Sequence, residues 1–146
     1  MADIRRTAEA SWAGTLRDGN GSISTGSGAL EQAKYSFATR FEDGPGTNPE
    51  ELIAGAHAAC YSMALADALK RKDHPPESIT TRAVCTLART ADDGFRIHSI
   101  TLHTEGKVPN IGEAEFVEIA HRADAECPVS NALRGGPKIE VEAKLL

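Results

Sequence analysis

Two cysteines stand in chemically different surroundings: Cys60 within NPEELIAGAHAACYSMAL and Cys127 within ECPVSNAL. The first lies on an apolar stretch with helical spacing, and the second directly precedes a proline. They form no CxxC hairpin and have no metal-ligand spacing. If the two meet in the fold, their chemistry is that of an attacking thiol and a resolving thiol, the pattern of a thiol peroxidase. Pro128 disfavours the α conformation at Cys127, so a helix should break there and leave the thiol at a kink. A short helix opening near Ser130-Asn131 would turn free N–H groups toward a nearby thiolate. The third cysteine, Cys85, reads as an inward strand residue and takes no role.

A thiolate needs a cation, because a free thiol is mostly protonated at neutral pH. His57, three residues before Cys60 on the same helix face, is one source. Arg40, always charged, is the other; its ordinary fate would be a solvated charge at a strand end, as that of His57 would be a core histidine. Glu50 lies ~15 Å from Cys60 along a straight helix. If Glu50 helps position a cation at Cys60, it is therefore expected to come from a partner subunit. Its ordinary role would be a first-turn carboxylate favoured by the helix dipole. No HxxxH or CxxC pair occurs among the five histidines and three cysteines, so neither a metal nor another cofactor is expected.

The elements that must place these residues are legible in outline. Trp12 to Arg17 and Ser22 to Thr25 flank Asp18-Gly19-Asn20-Gly21, which reads as a β-hairpin. Lys34 to Phe41 alternates and predicts a strand with Arg40 near its end. Asn48, Pro49 and Glu51 suit the N-cap, N1 and N3 positions of a helix running to about Lys70. Leu52, Ala56, Ala59, Cys60 and Met63 give its apolar stripe. Ala54, Gly55, Ala56, Ala58 and Ala59 keep its surface thin, so that another helix or subunit can approach.

Ile79 to Arg89 alternates as a strand. After Asp92-Asp93-Gly94 the apolar phase slips between Phe95/Ile97 and Ile100/Leu102, which predicts a bulge near His98-Ser99. A second helix is expected from about Gly112 to Glu126, burying Phe116, Ile119, Ala120 and Ala123. Ile139, Val141, Ala143 and Leu145 mark a half-buried closing strand. The order βββ-α-ββ-α-β predicts an antiparallel α+β fold rather than a doubly wound sheet.

Composition bounds the rest. A chain of 146 residues suits one domain, 1–146, with its own core. A net charge of −5 with scattered Lys and Arg argues against nucleic acid. No apolar run approaches the ~20 residues of a membrane span, and the N-terminus has no apolar core of a secretory signal. An odd cysteine count without an export signal predicts a reducing cytoplasm.

GTNPEELIAGAHAACYSMAL, ECPVSNAL and Arg40 in FATRF together resemble the osmotically inducible protein C and organic hydroperoxide resistance (OsmC/Ohr) family, more closely its osmotically inducible branch. The resemblance runs from the N-terminal hairpin to the final strand. It implies an OsmC-like α+β fold with antiparallel sheets packed on a long central cysteine-bearing helix, in an intertwined homodimer with active sites at the subunit interface. It also implies a cysteine-based peroxidase in stress defence that reduces organic hydroperoxides in preference to hydrogen peroxide.

By motif, Cys60 resembles the peroxidatic cysteine and Cys127 the resolving one. Arg40 resembles the arginine that stabilises the thiolate, and Glu50 the glutamate that orients it. In the hydroperoxide-resistance branch the arginine lies nearer the N-terminus, so the assignment of Arg40 follows the closer branch. The implied cycle passes through a Cys60 sulfenic acid and a Cys60–Cys127 disulfide, reduced by an external dithiol of lipoyl or similar type. Two rival readings stand beside it. One is acyl transfer by a His57–Cys60 pair, which would survive loss of Cys127. The other is a non-enzymatic dimeric stress protein with redox-switch cysteines.

Overall fold

The computed structural model describes residues 1–146, which divide into two compact units, Met1–Leu52 and Ile53–Leu146. In the first, strands β1 (Ala8–Ala13), β2 (Asn20–Thr25) and β3 (Ala33–Ser36) form an antiparallel sheet in the order β1-β2-β3. The expected hairpin is present, but its turn lies earlier than the sequence suggests. Asn20 and Gly21 pair with Ala13 and Trp12 as strand residues, and Gly14 takes the positive φ, +93°. Gly21 is needed in the strand because the Tyr35 ring lies against it; a Cβ there would come within 2.5 Å of the ring. The Tyr35 hydroxyl donates to Ser11 O at 2.8 Å, which fixes the ring over the hairpin.

The predicted strand over Lys34–Phe41 is corrected at Ser36. There the chain turns into a single-turn helix, α1 (Phe37–Phe41). A capping box forces the turn: Thr39 N–H donates to Ser36 Oγ at 3.3 Å, and Ser36 N–H donates to Thr39 Oγ1 at 2.8 Å. Two orphan donors are satisfied reciprocally, and this outweighs the alternating pattern. Arg40 thus stands in the last turn of a helix, not at the end of a strand.

Helix α2 (Pro49–Arg71) is continuous across both units. Its start follows the sequence signals: Glu51 N–H donates to Asn48 Oδ1 at 2.8 Å, with Pro49 as the first helical residue. The Glu51 carboxylate accepts from Thr47 Oγ1 at 2.7 Å.

In the second unit, β4 (Ser78–Arg89) pairs antiparallel with β5 (Phe95–Lys107), and the register shifts where Thr86 and Leu87 face Ser99 and Ile97. His98 is the extra residue, so the predicted bulge is present. Helix α3 (Glu113–Ala123) runs into a 3-10 turn (Asp124–Glu126), and then a short helix α4 (Pro128–Leu133) leads to β6 (Lys138–Leu145). The α+β class holds, with one departure: β6 pairs parallel to β5. Two antiparallel neighbours can share a tight turn, but this connection is long and helical, which returns the chain in the same direction.

The core of this unit gathers Tyr61, Leu65 and Leu69 of α2, Ile100 and Leu102 of β5, and Phe116 and Ala120 of α3. Each large side chain there contributes roughly 1.5–3 kcal/mol of burial. The buried face of α2 is therefore not the predicted stripe. His57, Tyr61, Leu65 and Leu69 are fully buried, whereas Ala56, Ala59 and Met63 are exposed, Met63 at 75%. Alanine surrounds this helix on all sides, so the apolar pattern alone does not fix its phase. By length and composition α2 is also apolar enough to cross a membrane, which corrects the expectation that no run comes close. Tyr61, Leu65, Ala68 and Leu69 of this helix are buried in the core of the second unit.

Candidate active site

The second unit brings Cys60 and Cys127 together. The two thiols are unbridged and near enough that Cys127 affects the ionisation of Cys60. Cys60 is half-buried on α2; Cys127 is fully buried. The break at Cys127 is the one Pro128 dictates: Cys127 takes φ −81° and ψ 113°, an extended conformation, and caps α4. Pro128 occupies the first turn of that helix, where its missing N–H costs nothing. The next two N–H groups serve the thiols. The Val129 N–H lies near enough to Cys60 to favour its thiolate, and Ser130 N–H donates to Cys127 Sγ at 3.5 Å.

Burial raises the pKa of the Cys60 thiol. The Val129 N–H pulls it down, and the neighbouring Cys127 thiol raises it further. Burial dominates, so within its own unit Cys60 is held toward the thiol form. Burial also raises the Tyr61 hydroxyl pKa, with the charges of Asp124 and Cys127 adding to it; the hydroxyl donates to Ala120 O at 2.6 Å.

His57 does not act as the cation that the sequence offered. It is closed to solvent and its Nε2 lies 2.6 Å from Ser130 Oγ. Burial lowers its pKa, against an opposing pull from Asp124, and keeps the ring neutral. Ser130, by sequence only the opening of a short helix, is instead the buried partner of His57. A hydroxyl placed three residues past a kinked cysteine was the available signal.

The neutral, buried His57 has a measurable consequence. Its folded pKa lies below 6.5 while the unfolded chain takes up the proton at about 6.5. As pH falls through 6.5 the unfolded state binds more protons, so this contribution to stability is full above 6.5 and is lost below it. Urea midpoints measured from pH 7.5 to 5 should therefore drop more steeply in wild type than in His57→Gln, which cannot titrate. Parallel curves would contradict the assignment.

The first unit holds the other two candidate residues, Arg40 and Glu50, as a pair of their own. Arg40 Nε donates to both Glu50 carboxylate oxygens at 3.2 Å, and Nη2 donates to Oε1 at 2.7 Å. The Glu50 side chain is 9% exposed and that of Arg40 37%, so a nearly buried carboxylate orients a guanidinium that still reaches solvent. Local chemistry fixes this geometry. Asn48 Nδ2 donates to Thr39 O at 3.0 Å and Thr47 N–H to Lys34 O at 2.9 Å, which staples the loop between α1 and α2. Beside Arg40 lies a cavity of about 290 Å³ walled by Trp12, Leu16, Tyr35, Phe37 and Phe41. The sequence reading did not find this aromatic cup, because its walls come from β1, the first loop, β3 and α1.

The second unit thus carries a pair of neighbouring thiols, and the first a carboxylate-held arginine. The chain belongs to the OsmC family: residues 42–142 match the family model described as OsmC-like protein. It is 44% identical over 141 residues to the Escherichia coli peroxiredoxin OsmC, covering 97% of this chain and 98% of that one. It is 30% identical to the organic hydroperoxide resistance protein OhrB of Bacillus subtilis over 131 residues, 89% of this chain and 94% of that protein. The crystal structure of OhrB of Bacillus subtilis superposes with a TM-score of 0.71 at 26% identity, covering 96% of this chain and 98% of that one.

Proposed function

We propose that this protein is a cysteine peroxidase of oxidative and osmotic stress defence, reducing organic hydroperoxides and, more weakly, hydrogen peroxide. The observation that carries the reading is the contact between the Cys60 and Cys127 thiols, supported by relatives named peroxiredoxin and organic hydroperoxide resistance protein.

Cys60, as thiolate, attacks the distal peroxide oxygen. An S–O bond forms, the O–O bond breaks, and the alkoxide takes a proton to leave as an alcohol. Cys127 sulfur then attacks the sulfur of the Cys60 sulfenic acid, its proton leaving with the hydroxyl as water, and a disulfide closes. An external dithiol of lipoyl or similar type opens it by exchange. Such recycling suits a reducing cytoplasm.

The thiolate in this proposal is held by Arg40, with Glu50 fixing the guanidinium. A second copy of the chain supplies the pair, in a homodimer. Two observations support that arrangement. Cys60 is held toward the thiol form within its own unit, and α2 leaves the small, apolar face of Ala56, Ala59 and Met63 exposed. Where the Cβ of Gly55 would stand there is open space for a neighbour.

The aromatic cup beside Arg40 takes the organic tail of the peroxide. Phe37→Ala removes one wall without touching the arginine pair. It should raise KM for cumene hydroperoxide about tenfold while leaving turnover of hydrogen peroxide nearly unchanged, both measured with a small dithiol as reductant. Equal losses for both peroxides would place the tail elsewhere. A wild type that consumes neither peroxide with any dithiol would overturn the function itself.

A further inference from the structure

Helices α2 and α4 meet through two matched rungs. His57 and Cys60 stand three apart on α2, and Cys127 and Ser130 stand three apart at the start of α4. One rung is the thiol pair. The other is the 2.6 Å hydrogen bond between His57 Nε2 and Ser130 Oγ. His57, Cys127 and Ser130 are all closed to solvent.

We propose that the His57–Ser130 hydrogen bond is the positioning device of the resolving step: it holds Cys127 in line with oxidised Cys60 and so sets how fast the disulfide closes. The inference rests on Cys60 being the oxidised thiol, as proposed above. α4 spans only Pro128–Leu133, too short to be stable or placed by its own backbone bonds. It is entered through the extended Cys127 and left through an extended Arg134; Asn131 and Arg134 tie it back to the preceding turn, and Ser130 ties it to His57 of α2. Disulfide closure tolerates little error, with Cβ atoms ~3.5–4.5 Å apart and a defined dihedral. A displacement of ~1 Å is enough to slow such a step severely.

The ring acts by position rather than by proton transfer, since Nε2 is committed to Ser130 and burial keeps the ring neutral. In the step it governs, the Cys127 S–H bond and the Cys60 S–O bond break, the S–S bond forms, and water leaves. When alignment is lost the sulfenic acid persists. A second peroxide then adds oxygen to the Cys60 sulfur, its O–O bond breaks, an alcohol leaves, and a sulfinic acid remains.

Ser130→Ala, His57→Leu and His57→Gln separate this role from simple packing. Each reduced protein is mixed with cumene hydroperoxide and quenched over time. Sulfenic acid is trapped with dimedone, and disulfide and sulfinic acid are read by mass spectrometry. Sulfenic acid should form in Ser130→Ala and His57→Leu at close to the wild-type rate. Disulfide should close at least ~10-fold more slowly, with sulfinic acid rising in step. His57→Gln, whose side-chain amide can donate to or accept from the Ser130 hydroxyl in place of Nε2, should recover most of the closing rate.

Wild-type closing rates in Ser130→Ala and His57→Leu overturn the inference, as does a lower melting temperature with unchanged closing. Slowing in His57→Gln equal to that in His57→Leu overturns it as well. A wild type that forms no sulfenic acid brings down the peroxidase reading and this inference with it. That failure is distinct, because in the others the sulfenic acid still forms.

Discussion

Cys60→Ser is expected to reduce peroxide consumption at least ~1,000-fold, while the protein folds and melts as wild type. A serine hydroxyl keeps the shape of the thiol, yet at neutral pH it supplies essentially no anion and no sulfur to carry oxygen. Cys60 is half-buried at the edge of the core, not its centre, so the exchange costs little stability. Cys127→Ser should behave differently. The first peroxide should still be reduced, and the cycle should stop at a trappable sulfenic acid that repeated peroxide drives to inactive forms. Acyl transfer by a His57–Cys60 pair predicts the reverse, with Cys127 dispensable, and the commitment of His57 Nε2 to Ser130 already argues against it. The comparison is a steady-state peroxide assay on the two variants beside wild type.

The second large effect belongs to Arg40. Burial raises the Cys60 pKa, and a guanidinium beside a thiolate lowers such a pKa by ~1–3 units. Removing it in Arg40→Ala cuts the thiolate fraction about tenfold per unit at neutral pH. The more basic thiolate regains roughly half of that loss on a logarithmic scale through greater nucleophilicity. The expected net loss in kcat/KM is thus ~3- to 30-fold, and it should shrink only at pH above 9, because burial holds the unaided thiol above its ordinary pKa. Arg40→Lys should fall between, since one ammonium cannot reproduce the Nε and Nη2 bonds to Glu50.

Subunit crossing is read from a mixture. Cys60→Ser and Arg40→Ala chains, unfolded and refolded together, should regain about a quarter of the wild-type sites by random pairing of a symmetric dimer. A site built within one chain regains none.

The parts of this protein that could be read from its sequence are those fixed by local stereochemistry. Asn48-Pro49 starts α2 because both residues satisfy or lack the orphan donors of a first turn. Pro128 breaks the chain at Cys127 because its ring excludes the α conformation one residue earlier. The bulge at His98 followed from a phase slip that only an extra residue explains.

The misreadings arose where two patterns competed or where no local pattern exists. Tyr35, Phe37, Thr39 and Phe41 alternate like a strand, but the Ser36–Thr39 capping box turns the chain first. The alanine-rich α2 has no dominant face, so Tyr61, off the expected stripe, turns inward and Met63, on it, turns outward. The parallel pairing of β6 depends on a crossover that no residue of β6 encodes. In the same way, no local pattern pairs Arg40 with Glu50, and the family resemblance alone implies it. The folded loop between α1 and α2 made them partners.

The central claim is that Cys60 and Cys127 are one redox unit. The most direct test is a thiol count on the fully reduced protein after one equivalent of cumene hydroperoxide, with Cys60→Ser beside wild type. The account predicts rapid loss of two thiols per chain in wild type and none in Cys60→Ser. A wild type that keeps its thiols while the peroxide persists would contradict it and leave the pair a packing contact.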